Sequence, residues 1–155
     1  MVKNMDIKDI MTKDLIIGKN TDNIKKISEL MKEYDIGFIP ISKDKKIIGV
    51  ITDRDIVVRA ICNNINYDTP IENYISPNII SCDVDSSINE VLDIMKQSKI
   101  KRIIVTELEK IVGIVSISDI INNSNEKNAL DAFKEIYEIN KNTDKFHTEI
   151  DEFYL

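Results

Sequence analysis

The sequence predicts an α/β (α+β) protein made of two copies of one strand–helix–strand–strand–helix unit, with a C-terminal helix and tail after them. Three observations carry this reading. First, Gly49-Val50-Ile51-Thr52-Asp53-Arg54-Asp55 returns as Gly113-Ile114-Val115-Ser116-Ile117-Ser118-Asp119, 64 residues later. Second, the same offset lays Ile7 on Ile71, Thr12 on Ser76, Ile24 on Ile88, Met31 on Met95 and Ile39 on Ile103, without a gap from Ile7 to Val57. Third, each copy passes in the same order from a short apolar run to a helical stripe and then to two apolar runs around a polar turn. Two copies are too few for a solenoid, so the expected use is two βαββα repeats packed with pseudo-twofold symmetry. The expected boundaries are 1–63 for the first repeat, 64–124 for the second and 125–155 for the C-terminal helix and aromatic, acidic tail.

The elements follow in order. Leu15-Ile16-Ile17 and Ile79-Ile80 read as first strands after a turn. Ile24, Ile27, Leu30, Met31 and Tyr34 have helical spacing, as do Ile88, Val91, Leu92 and Met95. Ser87 with Glu90 makes a capping box at the second of these helices, and Thr21 or Asp22 is the expected cap of the first. Phe38-Ile39-Pro40-Ile41 and Arg102-Ile103-Ile104-Val105 read as second strands. Pro40 cannot donate to a ladder, so it belongs at an edge or an irregular end. Polar turns at Lys43–Lys46 and Glu107–Lys110 lead to third strands, Ile47 to Ile51 and Ile111 to Val115, apolar enough to be covered on both faces. Short helices are expected from Asp53 to about Ile61 and from Ile117 to about Ile121. Cys62 to Pro70 is polar and punctuated, and reads as the linker between halves.

Composition limits the function classes. The 155 residues are 43% hydrophobic and 31% charged, which suits a soluble protein with a real core. A formal charge of -6 argues against non-specific DNA or RNA binding, which needs a net basic face. The sequence has no signal-peptide pattern and no apolar run long enough to span a membrane. Cys62 and Cys82 follow no metal or redox spacing and read as free thiols in a reducing cytoplasm.

The repeated stretch supports two chemical readings. Thr52-x-x-Asp55 and Ser116-x-x-Asp119 are themselves capping boxes before helices. A cap alone explains neither the Gly three residues earlier nor the recurrence of the whole pattern at one offset. The second reading uses the same atoms for a ligand. A carboxylate at a helix start can accept two hydrogen bonds from a vicinal diol, as an acid does with a nucleotide ribose. A neighbouring hydroxyl can bond the sugar or a phosphate. Gly49 and Gly113 allow a ligand or another backbone to come close.

The two units resemble cystathionine-β-synthase (CBS) domains, which occur as tandem pairs. The resemblance rests on Gly49-Val50-Ile51-Thr52-x-x-Asp55 and Gly113-Ile114-Val115-Ser116-x-x-Asp119, each after a strand–helix–strand unit of matching length, and covers about Ile7 to Asn122. The second stretch is also similar to nucleotide-site stretches in the γ subunit of AMP-activated protein kinases. The resemblance implies a non-catalytic regulatory module that holds AMP, ADP, ATP or S-adenosylmethionine in clefts between the repeats. It implies that Asp55 and Asp119 hold ribose hydroxyls, with Thr52 and Ser116 beside them. Phosphates would fall to Lys101, Arg102, Arg54 and Ser118, a guanidinium being a planar fork suited to phosphate. Phe38, Ile39, Pro40, Ile103 and Ile104 would line base pockets. Arg59 stands between surface charge and site residue.

The copies differ. Phe38 stands where the second half has Arg102, Ser118 stands where the first has Arg54, and Ile104 replaces the family's usual Pro. Two unequal sites follow. No catalytic set, metal cluster or phosphate loop is present in the sequence, and the single His147 lies in a polar tail. The expected protein is therefore a cytoplasmic homodimer that takes an adenine nucleotide as regulatory ligand and acts on a regulated protein. The alternative is a scaffold whose acids only cap helices.

In the last region, Leu130, Phe133, Ile136 and Tyr137 form a helical stripe from about Glu126 to Ile139. Phe133, Tyr137, Phe146, Phe153 and Tyr154 are five of the nine aromatic residues. A tail so rich in aromatics is expected to dock, on its own module, on a dimer mate or on a partner.

Overall fold

In its hairpins the repeat is copied down to individual backbone angles. The computed structural model describes residues 6–123 and 127–138. Within them lie α1 (Ile7–Ile10), β1 (Gly18–Lys19), α2 (Ile24–Glu33), β2 (Phe38–Lys43), β3 (Lys46–Thr52) and α3 (Asp53–Asp55). A π-helical turn (Ile56–Ala60) and two 3-10 turns (Ile61–Asn63 and Ile71–Tyr74) follow. The second half supplies β4 (Ser81–Asp83), α4 (Ile88–Ser98), β5 (Arg102–Glu107), β6 (Lys110–Ser116) and α5 (Ile117–Asn123), and α6 (Lys127–Glu138) comes last. Each half carries a three-stranded sheet, in the orders β1-β2-β3 and β4-β5-β6.

The β2–β3 and β5–β6 hairpins turn through Asp44-Lys45 and Leu108-Glu109, all four residues at positive φ. Two consecutive positive-φ residues suit the right-handed twist of a two-residue hairpin. Each hairpin also shifts register at the same place, between Ile41 and Ser42 and between Val105 and Thr106. The hydroxyls just past the shift, Ser42 and Thr106, donate to the carbonyls of Gly18 and Cys82. That bond fixes where the first strands pair. They therefore lie slightly later than the apolar runs that were expected to form them, and Ile17 and Ile79 are exposed instead.

Pro40 lies inside the central strand of its sheet, yet the position is tolerated. Val50, opposite Pro40, sends its own N–H and C=O to Ser76, away from β2. The missing donor of Pro40 thus points to the other side, where β1 pairs only with Ile41 and Ser42.

α2 is capped by Asn23, whose side chain accepts from Lys26 N, and not by Thr21 or Asp22. Asp22 is engaged in a turn, accepting from Lys19 N. Ile24 and Lys25 donate to the carbonyls of Thr69 and Tyr67, so the segment expected to be a mere linker completes this helix start. α4 instead has the full Ser87–Glu90 box, as expected.

The chain packs as two compact units whose bounds differ from those of the sequence repeats. One unit is Asp14–Ser81, and among the described residues the other joins 6–13 to 82–123 and 127–138. In the first unit, Ile24, Ile27, Ile39, Ile41, Ile51 and Ile71 pack as a buried core between α2 and the sheet. In the second, Val91, Leu92, Met95, Ile103, Val105 and Val115 are buried in the corresponding places.

α6 packs on α4 and α5 through Ala129, Ala132 and Ile136. This rotates the expected stripe. Leu130 and Tyr137 are exposed, because the two alanines let the helix backbones approach more closely than Leu or Tyr would. The tail residues Phe146, His147, Phe153 and Tyr154 lie outside the described residues.

Candidate functional site

Each repeat joins its last strand to its last helix without a loop, which puts a hydroxyl and an acid face to face. Thr52 ends β3 in extended conformation, and Asp55 lies in the first turn beyond it. Asp55 N donates to Thr52 Oγ1 at 3.1 Å, while Thr52 N and Oγ1 donate to Asp55 Oδ2 at 2.9 and 2.7 Å. The copy is close. Asp119 N donates to Ser116 Oγ at 3.1 Å, and Ser116 N and Oγ donate to Asp119 Oδ2 at 2.8 and 2.6 Å. Both pairs are therefore capping boxes in this state.

Only one oxygen of each carboxylate serves the cap, and the halves differ at the other. Asp55 Oδ1 lies 3.5 Å from Arg59 NH1. Asp119 Oδ1 has no hydrogen-bond or ion-pair partner among the described residues. Arg59 is itself fixed, since the same nitrogen donates to Tyr74 O at 3.0 Å and Ser76 Oγ at 3.3 Å. The residue 64 positions on is Asn123, whose amide donates to the backbone carbonyl of Asp119 and leaves the carboxylate alone.

The hairpins bring further candidates to these pairs. Phe38 lies opposite Thr52 in the first ladder, and Arg102 lies opposite Ser116 in the second. Phe38 is half-buried, and Arg102, Arg54 and Ser118 are exposed. Pro40, Ile39, Ile103 and Ile104 are buried. Lys101 is half-buried and holds its ammonium 3.9 Å from the centre of the Tyr137 ring. Its carbonyl accepts from Ile117 N, as the Gly37 carbonyl accepts from Asp53 N in the first copy.

The glycines have a structural role. A Cβ on Gly49 would collide with Ser76 O and the Ile75 side chain, and one on Gly113 with Met11. The close approach expected at these positions is made by another stretch of backbone. Of the polar neighbours, Arg59 is the one whose role the sequence reading left open. Its spacing of four residues after Asp55 is the signal that points to it.

Other chemistry is sparse. Among the described residues no group of three or more His, Cys, Asp or Glu could hold a metal, and no helix is long and apolar enough to cross a membrane. A groove of about 260 Å³ between α4 and α6 is lined by Asn89, Asp93, Lys96, Asn128, Asp131 and Glu135 among others, and by none of the candidate ligand-binding residues.

The model of the CBS domain family matches the chain twice, over residues 7–60 and 71–126. The chain is 34% identical over 116 residues to the uncharacterized protein YlbB of Bacillus subtilis, covering 74% of this chain and 78% of that one. Among solved structures, an uncharacterized conserved protein from Pyrococcus horikoshii is 34% identical, with a TM-score of 0.73 over 82% of this chain and 97% of that one. The CBS domain pair of protein MJ0100, solved in complex with 5′-methylthioadenosine and S-adenosyl-L-methionine, is 26% identical. Its TM-score is 0.68, over 76% of this chain and 94% of that one.

Proposed function

Since the chain belongs to the CBS domain family, we propose that it is a regulatory sensor of an adenosyl ligand, with an adenine nucleotide (AMP, ADP or ATP) as the preferred occupant. One observation carries the reading: a hydroxyl–carboxylate pair set at the same place in both repeats, with near-identical distances. Asp119 in particular keeps an oxygen available, which a vicinal diol needs as acceptor. The ligands named for MJ0100 both contain adenosine and hence such a diol.

The choice of a phosphate-bearing ligand over S-adenosylmethionine rests on charge. Lys101 and Arg102 stand beside Ser116, and cations favour an anionic 5′ substituent over a sulfonium. In this reading Asp55, Thr52, Asp119 and Ser116 hold ribose, Arg54, Lys101, Arg102 and Ser118 serve phosphate, and Phe38, Ile39, Pro40, Ile103 and Ile104 back the base. Occupancy regulates a partner protein because the ligand binds two arrangements of the protein unequally. The protein is a sensor and not an enzyme, working in a reducing cytoplasm.

The proposed assembly is a homodimer. Val57, Val58 and Ile61 are roughly half exposed along the turns after α3, an apolar strip suited to a second copy. Sedimentation of wild type and Val58→Glu tests this, and a monomeric wild type would overturn it.

Isothermal titration with AMP, ADP, ATP and S-adenosylmethionine tests the sensor reading. Heat with at least one, lost in the Asp55→Ala/Asp119→Ala double variant, is the expected result. No heat with any of the four would overturn it. The result would then favour the scaffold reading, which the engagement of both carboxylates in caps supports.

A further inference from the structure

We propose that Arg59 is a latch that withholds Asp55 from a ligand diol, so that the Ser116/Asp119 pair is the high-affinity site and the Thr52/Asp55 pair is held closed. The inference rests on the adenosyl-binding reading above and says which of the two pairs works and why. The two carboxylates are equivalent through Oδ2, each accepting from the hydroxyl and amide of its own cap. They differ at Oδ1, the atom a diol must share. In the first half a guanidinium nitrogen stands 3.5 Å away.

That nitrogen is not a loose surface charge. Tyr74 O and Ser76 Oγ accept from it, and both belong to the segment that crosses β3. A ligand hydroxyl approaching Asp55 Oδ1 competes with a guanidinium already paired there and held by two hydrogen bonds of its own. Asp55 also keeps only 19% of its side-chain exposure. In the second half the corresponding Asn123 is neutral and bonds the backbone of Asp119, so its Oδ1 needs no displacement. At Oδ1 the two acids therefore differ through the residue four positions on, Arg59 on the π-helical turn of the first repeat and Asn123 at the end of α5 in the second. Arg59 is a positioning residue. It acts through Asp55 and need not touch the ligand.

The test is titration of AMP, and separately of S-adenosylmethionine, into the full chain. Wild type should bind one equivalent per chain, lost in Asp119→Ala and weakened less by Asp55→Ala. Arg59→Gln should add a second equivalent, and the Arg59→Gln/Asp55→Ala double variant should lose it. A gain of a binding site is something a merely structural role would not produce. Asn123→Arg is the reciprocal variant on an exposed position, and it should weaken the wild-type site at least about tenfold. It keeps the proposal testable should Arg59→Gln not fold. Binding that is the same in Arg59→Gln and Asn123→Arg as in wild type would overturn the latch, as would Asp55→Ala proving as damaging as Asp119→Ala. Silence with both probes in wild type and every variant would instead remove the adenosyl reading itself, and the latch with it.

Discussion

Ser76 lies antiparallel to Val50 and exchanges both backbone hydrogen bonds with it, N to O at 2.8 and 3.0 Å. Thr12 does the same with Ile114 in the other unit. Thr12 and Ser76 are equivalent residues of the two repeats, so the opening segment of each repeat completes the sheet formed by the other. This is why the compact units cut the chain after Lys13 and after Ser81 and not at the repeat boundaries.

The crossing needs the glycines below it. At Gly49 a methyl group would meet Ser76 O, a backbone atom that cannot move without breaking the bridge. At Gly113 the nearest atoms belong to the flexible Met11 side chain. Gly49→Ala should cost about 1–3 kcal/mol and Gly113→Ala distinctly less. Urea denaturation measures both, and equal costs would contradict the crossing geometry.

The hairpin turns carry a removable cost. Leu108 and Glu109 both have positive φ, at 47° and 64°, and Leu108 is 88% exposed. Left-handed conformation disfavours both residue types and suits Asn and Gly. Leu108→Asn with Glu109→Gly should stabilise the protein by about 1–2 kcal/mol, read as a rise in melting temperature. No rise would argue against the two-residue turn.

The two thiols should react differently. Cys62 is exposed, whereas Cys82 is buried and its pKa is pushed up to about 11, first by burial and then by the neighbouring Asp83 charge. A thiol reagent at pH 8 should modify Cys62 quickly and Cys82 only on unfolding. Peptide mass mapping reads this, and equal rates would contradict the packing of β4.

One ion pair ties the crossing segment to the hairpin. Glu72 accepts from Lys43 and Asn20, and these contacts hold its carboxyl below the ordinary value of 4.5, the Lys43 bond foremost. The folded state thus binds the Glu72 proton more weakly than the unfolded chain does. Its contribution is complete above pH 4.5 and is lost as pH falls through the lowered value. Lys43, raised above 10.5 by the same bond, loses its share only as pH rises through that raised value. Glu72→Gln should therefore lower the melting temperature slightly at pH 7, and the difference from wild type should shrink as the pH falls below 4.5.

Much of this was legible because the repeat is local. The 64-residue offset identified both hairpins, both capping boxes and the equivalence of Phe38 and Arg102, while their places opposite Thr52 and Ser116 came from the ladders. What the sequence hid was long-range. Nothing in the Cys62–Pro70 stretch announces that the carbonyls of Tyr67 and Thr69 cap α2. The apolar pattern of α6 hid that Ala129 and Ala132 face the core, because alanine adds little to a hydrophobic stripe. Arg59 was ambiguous because its two anchors, Tyr74 and Ser76, are brought beside it only by the crossing segment.

In the sensor reading, Asp119 holds a ribose diol through Oδ1, the oxygen its cap leaves unused. Titration of AMP against 2′,3′-dideoxy-AMP at equal salt measures the contact with the diol. Removing both hydroxyls should weaken binding by about tenfold or more, because Asp119 is left without its donors. Equal affinity for the two would contradict it and leave the acids as helix caps alone.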